Sequence, residues 1–215
     1  NDLSMVASGP TFLDTTTIKD AERILSKYDV IKTCRIEGCN LKETPKDPNI
    51  FTNVQNELIV DNKVAVKAMA AKALQLGYRT KIYSTNISSE AKDTGKLLAS
   101  LAKPGHAFIA AGETTVNITH PGSGGRNLEV SLSALPHLTK DSLVISFASD
   151  GIDHVPVAGA IADSTTQHKA ATKHLDPVKA INTNQSYDFF KQTGDLIITG
   201  PTNRNVSDLM LVLGR

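Results

Sequence analysis

Two glycine-bearing segments hold the residue types that could do chemistry: Ala111-Gly112-Glu113-Thr114-Thr115 and, shortly after, Gly122-Ser123-Gly124-Gly125-Arg126-Asn127. Glycine lets backbone N–H groups approach an anion closely, and a helix starting just beyond adds the partial positive charge of its N-terminus. Arg126 supplies a planar fork that matches a phosphate or carboxylate at two points, and Thr114 and Thr115 add hydroxyl donors. Together they have the composition of a phosphate cradle. The order G-x-G-G-R-N lacks the third glycine of a dinucleotide fingerprint, and no G-K-[ST] occurs, since Gly95-Lys96 is followed by Leu97. The competing reading is a glycine-rich hairpin followed by a helix cap.

A second segment, Ser149-Asp150-Gly151-Ile152-Asp153, directly follows the apolar run 143–147. Asp150 and Asp153, three apart at a strand end, suit Mg²⁺ bound directly or through water, or the orientation of a substrate hydroxyl. A plain D-G turn, with Asp150 closing its own loop, accounts for the same residues. A third polar loop, 199–208, contains Thr202 and Asn205 between two apolar runs. Asp163, just ahead of a helical pattern, reads as an N-cap. Cys34 and Cys39 form a lone C-x4-C pair without the second pair that a zinc site needs, and the six histidines include no H-E-x-x-H.

These segments need elements to hold them. Helical periodicity predicts helices over roughly 18–28 and 62–76, the latter capped by Asp61, striped by Ala65, Met69, Ala73 and Leu76, and closed by Gly77. Further helices are expected after Ser88 or Ser89, around Leu128, Leu132 and Leu135, and over about 165–174 and 186–192. Strands are expected at 57–60, 80–84, 106–111, 143–147, 196–199 and 209–213, while 44–49, with two prolines, reads as irregular linker. Alternating strands and helices predict an α/β fold, with a mostly parallel or mixed sheet flanked by helices. In such a fold ligands bind in the loops beyond the strands' carboxyl ends, where all three polar segments would lie.

The 215 residues suffice for one ordinary domain or two small ones, and 40% apolar with 21% charged residues excludes a disordered or collagen-like chain. A net charge of +1 argues against a nucleic-acid binder, and no apolar stretch approaches the length of a membrane span. No basic-then-apolar leader is visible, so two reduced cysteines and a cytoplasmic setting are expected. Asn1 in place of Met points to processing or to a longer protein.

Taken together and in order, Gly112-Glu113-Thr114-Thr115-Val116, Gly124-Gly125-Arg126-Asn127, Asp150-Gly151-Ile152-Asp153 and Thr199-Gly200-Pro201-Thr202 with Asn205-Val206 resemble the ATP-dependent glycerate kinases of the MOFRL family, often labelled hydroxypyruvate reductases. Asn184-Gln185-Ser186-Tyr187-Asp188-Phe189-Phe190 ahead of Gly194-Asp195 fits the same pattern. So does Ala7-Ser8-Gly9-Pro10-Thr11, which is similar to the segment joining that family's two domains. The resemblance implies the C-terminal half of a two-domain α/β enzyme that moves the γ-phosphoryl of ATP to D-glycerate with Mg²⁺, in carbohydrate metabolism. It divides the chain into a joining segment with a remnant of the N-terminal domain at 1–56, a strand-helix-strand-helix unit at 57–104 and a MOFRL-like domain at 105–215. It further implies that an N-terminal domain, supplied in cis or in trans, brings essential groups including a lysine; a homo-oligomer is compatible with it.

On that resemblance, Arg126 would be the catalytic contact to the transferring phosphate or the glycerate carboxylate. Gly112, Glu113, Thr114, Thr115, Gly124, Gly125, Asn127, Thr202 and Asn205 would bind substrate or phosphate, and Asp150 and Asp153 would hold Mg²⁺, with Glu113 a third choice. Leu128, His154-Val155-Pro156-Val157 and Asp61-Asn62 depart from the family's usual residues at those places. The alternative is a non-catalytic module of a larger kinase that binds a phosphorylated ligand or serves assembly. An NAD(P)-linked reductase is disfavoured by the lack of G-x-G-x-x-G.

Overall fold

The computed structural model describes residue 4 and residues 6–215; Asn1, Asp2, Leu3 and Met5, which open the expected joining segment, lie outside the described residues. The chain forms two compact units, 1–59 and 60–215.

In the first unit, α1 (Ile18–Lys27) starts at Thr17, whose hydroxyl accepts from the Asp20 N–H while the Asp20 carboxylate accepts from the Thr17 N–H, a reciprocal capping box. A short α2 (Val30–Cys34) follows. The segment read as linker contains one 3₁₀ turn, Pro48–Phe51, because Asp47 accepts from the Asn49 N–H and Pro48 pre-sets the turn's φ. None of this unit's described residues is fully buried. Residues 57–60 form no strand, contrary to expectation: Ile59 is 86% exposed, and no neighbouring strand offers its backbone groups.

The second unit is a six-stranded sheet with helices on both faces. α3 (Asn62–Gln75) begins at Asp61, which accepts from the Lys63 N–H, and ends before Gly77 at φ +89°. There follow β1 (Arg79–Ile87), α4 (Ala91–Ser100), β2 (His106–Gly112), α5 (Arg126–Ala134), β3 (Ser142–Ala148), β4 (Gly159–Asp163), α6 (Ser164–Thr172), α7 (Pro177–Asn182), α8 (Ser186–Thr193), β5 (Leu196–Ile197) and β6 (Asp208–Gly214). Asp163 caps α6 as expected, accepting from the N–H groups of Thr165 and Thr166.

Spatial strand order is β1-β2-β6-β3-β4-β5. The sheet is mixed, and a largely parallel arrangement does not form: among the described strands only β1 and β2 run parallel, and every other neighbouring pair is antiparallel. β4 and α7 were not expected. The run Gly159-Ala160-Ile161-Ala162 carries almost no strand signal because its side chains are small. It needs them small, since a Cβ on Gly159 would lie 2.0 Å from the Ser146 carbonyl oxygen.

Alternation along the strands sorts the core between two faces. Ile109, Ala111 and Leu209 pack under Val66 of α3 on one face. Ala110, Val144, Met210 and Val212 point the other way, to Leu98 of α4 and Leu128 and Leu132 of α5. Every residue of α5 from Asn127 to Ala134 is buried, so this helix runs through the core. Gly95 lets α4 reach it: a Cβ there would lie 1.9 Å from Ser133 Oγ and 2.2 Å from the Val130 carbonyl oxygen.

Candidate active site

The sheet's register brings the three polar segments together. Asp208, the first residue of β6, pairs with Gly112 at the end of β2 on one side and with Ala148 at the end of β3 on the other. Because β6 runs antiparallel between them, β2 and β3 both end at this edge, where β6 begins. Hydrogen bonds tie the loops to one another. Ser207 Oγ donates to the Gly112 carbonyl (2.7 Å), Thr202 Oγ1 to the Ser149 carbonyl (2.6 Å) and the Thr202 N–H to the Asp150 carbonyl (2.9 Å).

Arg126, the first residue of α5, is clamped by two acids. Its Nε donates to Asp208 Oδ2 at 2.6 Å, Nη2 to Asp208 Oδ1 at 3.2 Å and Nη1 to Glu113 Oε1 at 2.7 Å. Burial by itself would push the guanidinium's pKa down, but the bond and charge of Asp208 outweigh it and hold the pKa above its ordinary value. Asp208 is 1% exposed, and burial pushes its carboxyl up despite the arginine. Three of Arg126's five donors are thus committed and two are left, on a side chain that is 35% exposed and lines a cavity.

Asp153 is engaged as well. Its Oδ1 accepts from the N–H and the Nδ2 of Asn127, both at 3.1 Å, and its Oδ2 accepts from the Leu128 N–H at 2.9 Å. The anion at the N-terminus of α5 is therefore the chain's own carboxylate, lying beside Gly125, the N-cap residue, whose lack of a side chain makes room for it. Just upstream, the N–H groups of Gly124 and Gly125 donate to no protein atom among the described residues. Burial pushes the Asp153 carboxyl up against these three hydrogen bonds.

A cavity of about 580 Å³ opens here. Of the residues expected at the site, Thr114, Thr115, Gly124, Gly125, Arg126 and Asp153 line it. Thr114 is 3% exposed and its hydroxyl has no hydrogen-bond partner among the described residues, an orphan polar atom in a cavity wall. The other expected residues lie outside that lining. Gly112 closes β2, and a Cβ there would lie 2.1 Å from the Ile87 carbonyl oxygen. Glu113 flanks Arg126 from the solvent side. Asn127 is fully buried, accepting from Ser146 Oγ at 2.6 Å, and acts inside the fold. Asp150 accepts from the Ile152 N–H at 3.0 Å, with Asn205 beside it, and Thr202 latches the same turn.

Sequence reasoning assigned no role to Glu129, to Asn184 of the family-like motif or to Asp208 at the end of the third polar segment. Glu129 is 4% exposed, lines the cavity and has its pKa raised to about 7, chiefly by burial; a bond with Asn184 and the charge of Lys92 lower it, and the charges of Glu90 and Asp153 raise it. A single acid inside Asn127-Leu128-Glu129-Val130, a run otherwise fit for the core, was the available signal. Asn184 Oδ1 accepts from the N–H groups of Thr119 (3.0 Å) and His120 (3.1 Å), holding the loop that carries Ile118 over the cavity. His154, also in the wall, takes left-handed backbone at φ +64°.

Among the described residues no three His, Cys, Asp or Glu side chains are grouped to hold a metal ion. With Asp153 held by three hydrogen bonds, Asp150, which accepts one from Ile152 and a longer one from Asn205, is the less committed carboxylate of the expected pair. One carboxylate fits an ion that arrives on substrate phosphates better than one caged by protein alone.

Residues 106–208 match the model of the MOFRL family. The chain is 35% identical to a glycerate 2-kinase of Pyrococcus horikoshii over 99% of its own length and 53% of that protein's. It is 34% identical to a D-glycerate 2-kinase of Thermotoga maritima over 98% of its own length and 53% of that one's. The crystal structure of a glycerate kinase from Thermotoga maritima superposes with a TM-score of 0.79 at 33% identity, covering 100% of this chain and 54% of that one. The chain thus spans about half the length of the relatives it matches.

Proposed function

We propose, from the match of residues 106–208 to the MOFRL family model, that the chain supplies one side of the active site of an ATP-dependent glycerate kinase, which transfers the γ-phosphoryl group of ATP to D-glycerate. The observation that carries this reading is the convergence, at the start of β6, of a doubly clamped arginine, two unused glycine N–H groups and an orphan threonine hydroxyl on one cavity. Phosphoryl transfer asks a protein mainly for positioning and charge neutralisation, and those are what this arrangement offers.

Arg126 offers its two free N–H donors to the transferring phosphoryl group or to the glycerate carboxylate, held in place by Asp208 and Glu113. The N–H groups of Gly124 and Gly125 take anionic oxygens, and Thr114 and Thr115 add hydroxyl donors. Asp150, with Thr202 and Asn205 fixing its turn, is the residue that would hold Mg²⁺, which when bound would neutralise phosphate charge. The acids around Arg126 outnumber it, so the anionic substrates require further positive charge. That requirement agrees with Mg²⁺ on ATP and with a partner domain, in cis or in trans, contributing a lysine. No described helix is long and apolar enough to cross a membrane, and the two exposed, unpaired cysteines suit a cytoplasmic setting.

The test is ADP release from D-glycerate and Mg-ATP by the 215-residue chain, alone and mixed with a polypeptide supplying the other half of the relatives' length. The phosphorylated product would be identified by phosphorus NMR. Turnover in either case that falls with Arg126→Lys supports the kinase reading. Binding of both substrates without turnover in the mixture favours a non-catalytic module, and NADH oxidation with hydroxypyruvate would overturn both.

A further inference from the structure

Glu129 is a carboxylate that neither the helix caps nor the Arg126 clamp uses. It lies on α5 one turn beyond Arg126, is almost wholly buried, and lines the same cavity as Thr114, Gly124 and Gly125. Burying an acid in a helix otherwise committed to the core carries a free-energy cost that packing does not require, since an apolar residue would fill the position. In the same lining, the Thr114 hydroxyl is buried with no partner among the described residues. Two polar groups in one lining, one without a partner among the described residues and one beside Asn184, mark a place where a ligand's own polar groups are expected. The glycine N–H groups beside them suit the ligand's carboxylate end. An acid that accepts suits a hydroxyl, which must donate.

We propose that Glu129 binds the hydroxyl of a short hydroxy-carboxylate acceptor and takes up its proton when phosphoryl transfer occurs, with Thr114 as the second hydroxyl contact. The proposal rests on the reading of this cavity as the acceptor site of a kinase. In that step the acceptor's O–H bond breaks as its oxygen bonds the γ-phosphorus, and the bond from that phosphorus to the bridging oxygen breaks to release ADP. The proton passes to the Glu129 carboxylate and from there to water. The charged groups around Glu129 are Glu90 and Lys92 at the start of α4, Asp153 in the loop after β3 and Arg126 on its own helix. Asn184, between α7 and α8, is its neutral partner. Glu90 and Lys92 pair with each other at 2.8 Å, and among the described residues Glu129 forms no ion pair, though the charge of Lys92 still acts on it. A base near neutrality in its proton affinity is the form such a step requires.

The experiment uses the 215-residue chain with ¹³C-labelled glutamate side chains. The Glu129 carboxyl signal is identified as the one lost in Glu129→Gln, and is followed from pH 5 to 9 with added D-glycerate or with propanoate, which lacks hydroxyls. The expected result is a saturable shift of that signal, and of its titration midpoint, with D-glycerate and not with propanoate. Glu129→Leu is expected to weaken D-glycerate binding about tenfold while circular dichroism stays that of the wild type. If D-glycerate saturates the chain, as seen on its own proton lines, while the Glu129 signal and its midpoint stay fixed, the role of Glu129 is overturned and the acceptor-site reading survives. If D-glycerate does not bind at millimolar concentration, the acceptor-site reading falls and takes the proposal with it.

Discussion

The guanidinium of Arg126 meets the buried carboxylate of Asp208 at two points, 2.6 Å and 3.2 Å, across 82 residues of sequence. The pair joins the first turn of the core helix α5 to the first residue of the central strand β6, so it fixes the catalytic candidate and holds the fold at once. Removing the arginine leaves Asp208 buried without its cation. Arg126→Ala is therefore expected to cost about 3 kcal/mol in unfolding free energy by urea titration, the usual cost of breaking a buried pair from one side. Loss of activity in this variant is informative only beside that measurement, and Arg126→Lys, which keeps the charge but loses the two-point fork, is the cleaner probe.

Asp150 and Asp153 look interchangeable in sequence, but their surroundings differ. Asp153→Asn turns an amide donor toward N–H groups that need an acceptor, and should lower stability by about 2 kcal/mol. Asp150→Asn should leave the thermal midpoint within about 2 °C, as expected of a group near the surface, while weakening Mg²⁺-dependent ATP binding measured by calorimetry. Equal loss of stability in the two variants would contradict this division of roles.

Gly125 is required by its neighbour. A Cβ at this position would lie 2.0 Å from the Asp153 carbonyl oxygen and 2.3 Å from its Oδ2. Gly125→Ala should displace the capping carboxylate and destabilise the protein by about 3 kcal/mol, the upper end of ordinary overpacking. Because the glycine N–H moves with it, ligand binding should fall together with stability.

Glu129 gives the protein a pH signature. Its pKa lies at about 7 in the fold against an ordinary 4.5, so the folded chain binds the proton more tightly than the unfolded one. The contribution is fully present below about pH 4.5 and is lost as the pH rises to about 7. By pH 8 the ionised, buried carboxylate costs about 3 kcal/mol. Glu129→Gln should consequently raise stability at pH 8 by up to about that amount and leave it nearly unchanged at pH 4, in paired urea melts at the two values.

Thr114 separates function from stability. Its hydroxyl is buried with no partner among the described residues, and valine has nearly its shape. Thr114→Val is expected to raise stability by about 1 kcal/mol by removing an unsatisfied polar group, while lowering D-glycerate affinity. A destabilised variant would mean that the hydroxyl serves the fold.

Local rules account for much of what was legible in the sequence. Asp61 and Asp163 were readable as caps because an acid ahead of a helical pattern can satisfy N–H groups two and three residues on. The extents of α3, β2, β3 and β6 followed from periodicity for the same reason: each depends on residues close in sequence. The strand expected at 57–60 failed, and β4 went unseen, because strand formation is settled by a neighbour's backbone. Apolar residues at 57–60 found none, whereas the small residues of Gly159-Ala160-Ile161-Ala162 found β3.

By itself, the sequence determined the residue types at the site, the α/β class and the glycine-rich run beside Arg126. The roles of those residues were decided by tertiary structure. Nothing local distinguishes Asp153 from Asp150, or reveals that Asp208 will meet Arg126, because those pairings arise only when β6 is inserted antiparallel between β2 and β3. Nor can a helical pattern show that α5 will be buried on all sides, which is what turns Glu129 from an ordinary surface acid into a group that holds its proton near neutrality. Spacing along the chain fixes which side chains share a face, and burial, which sets their chemistry, depends on what packs against that face from elsewhere.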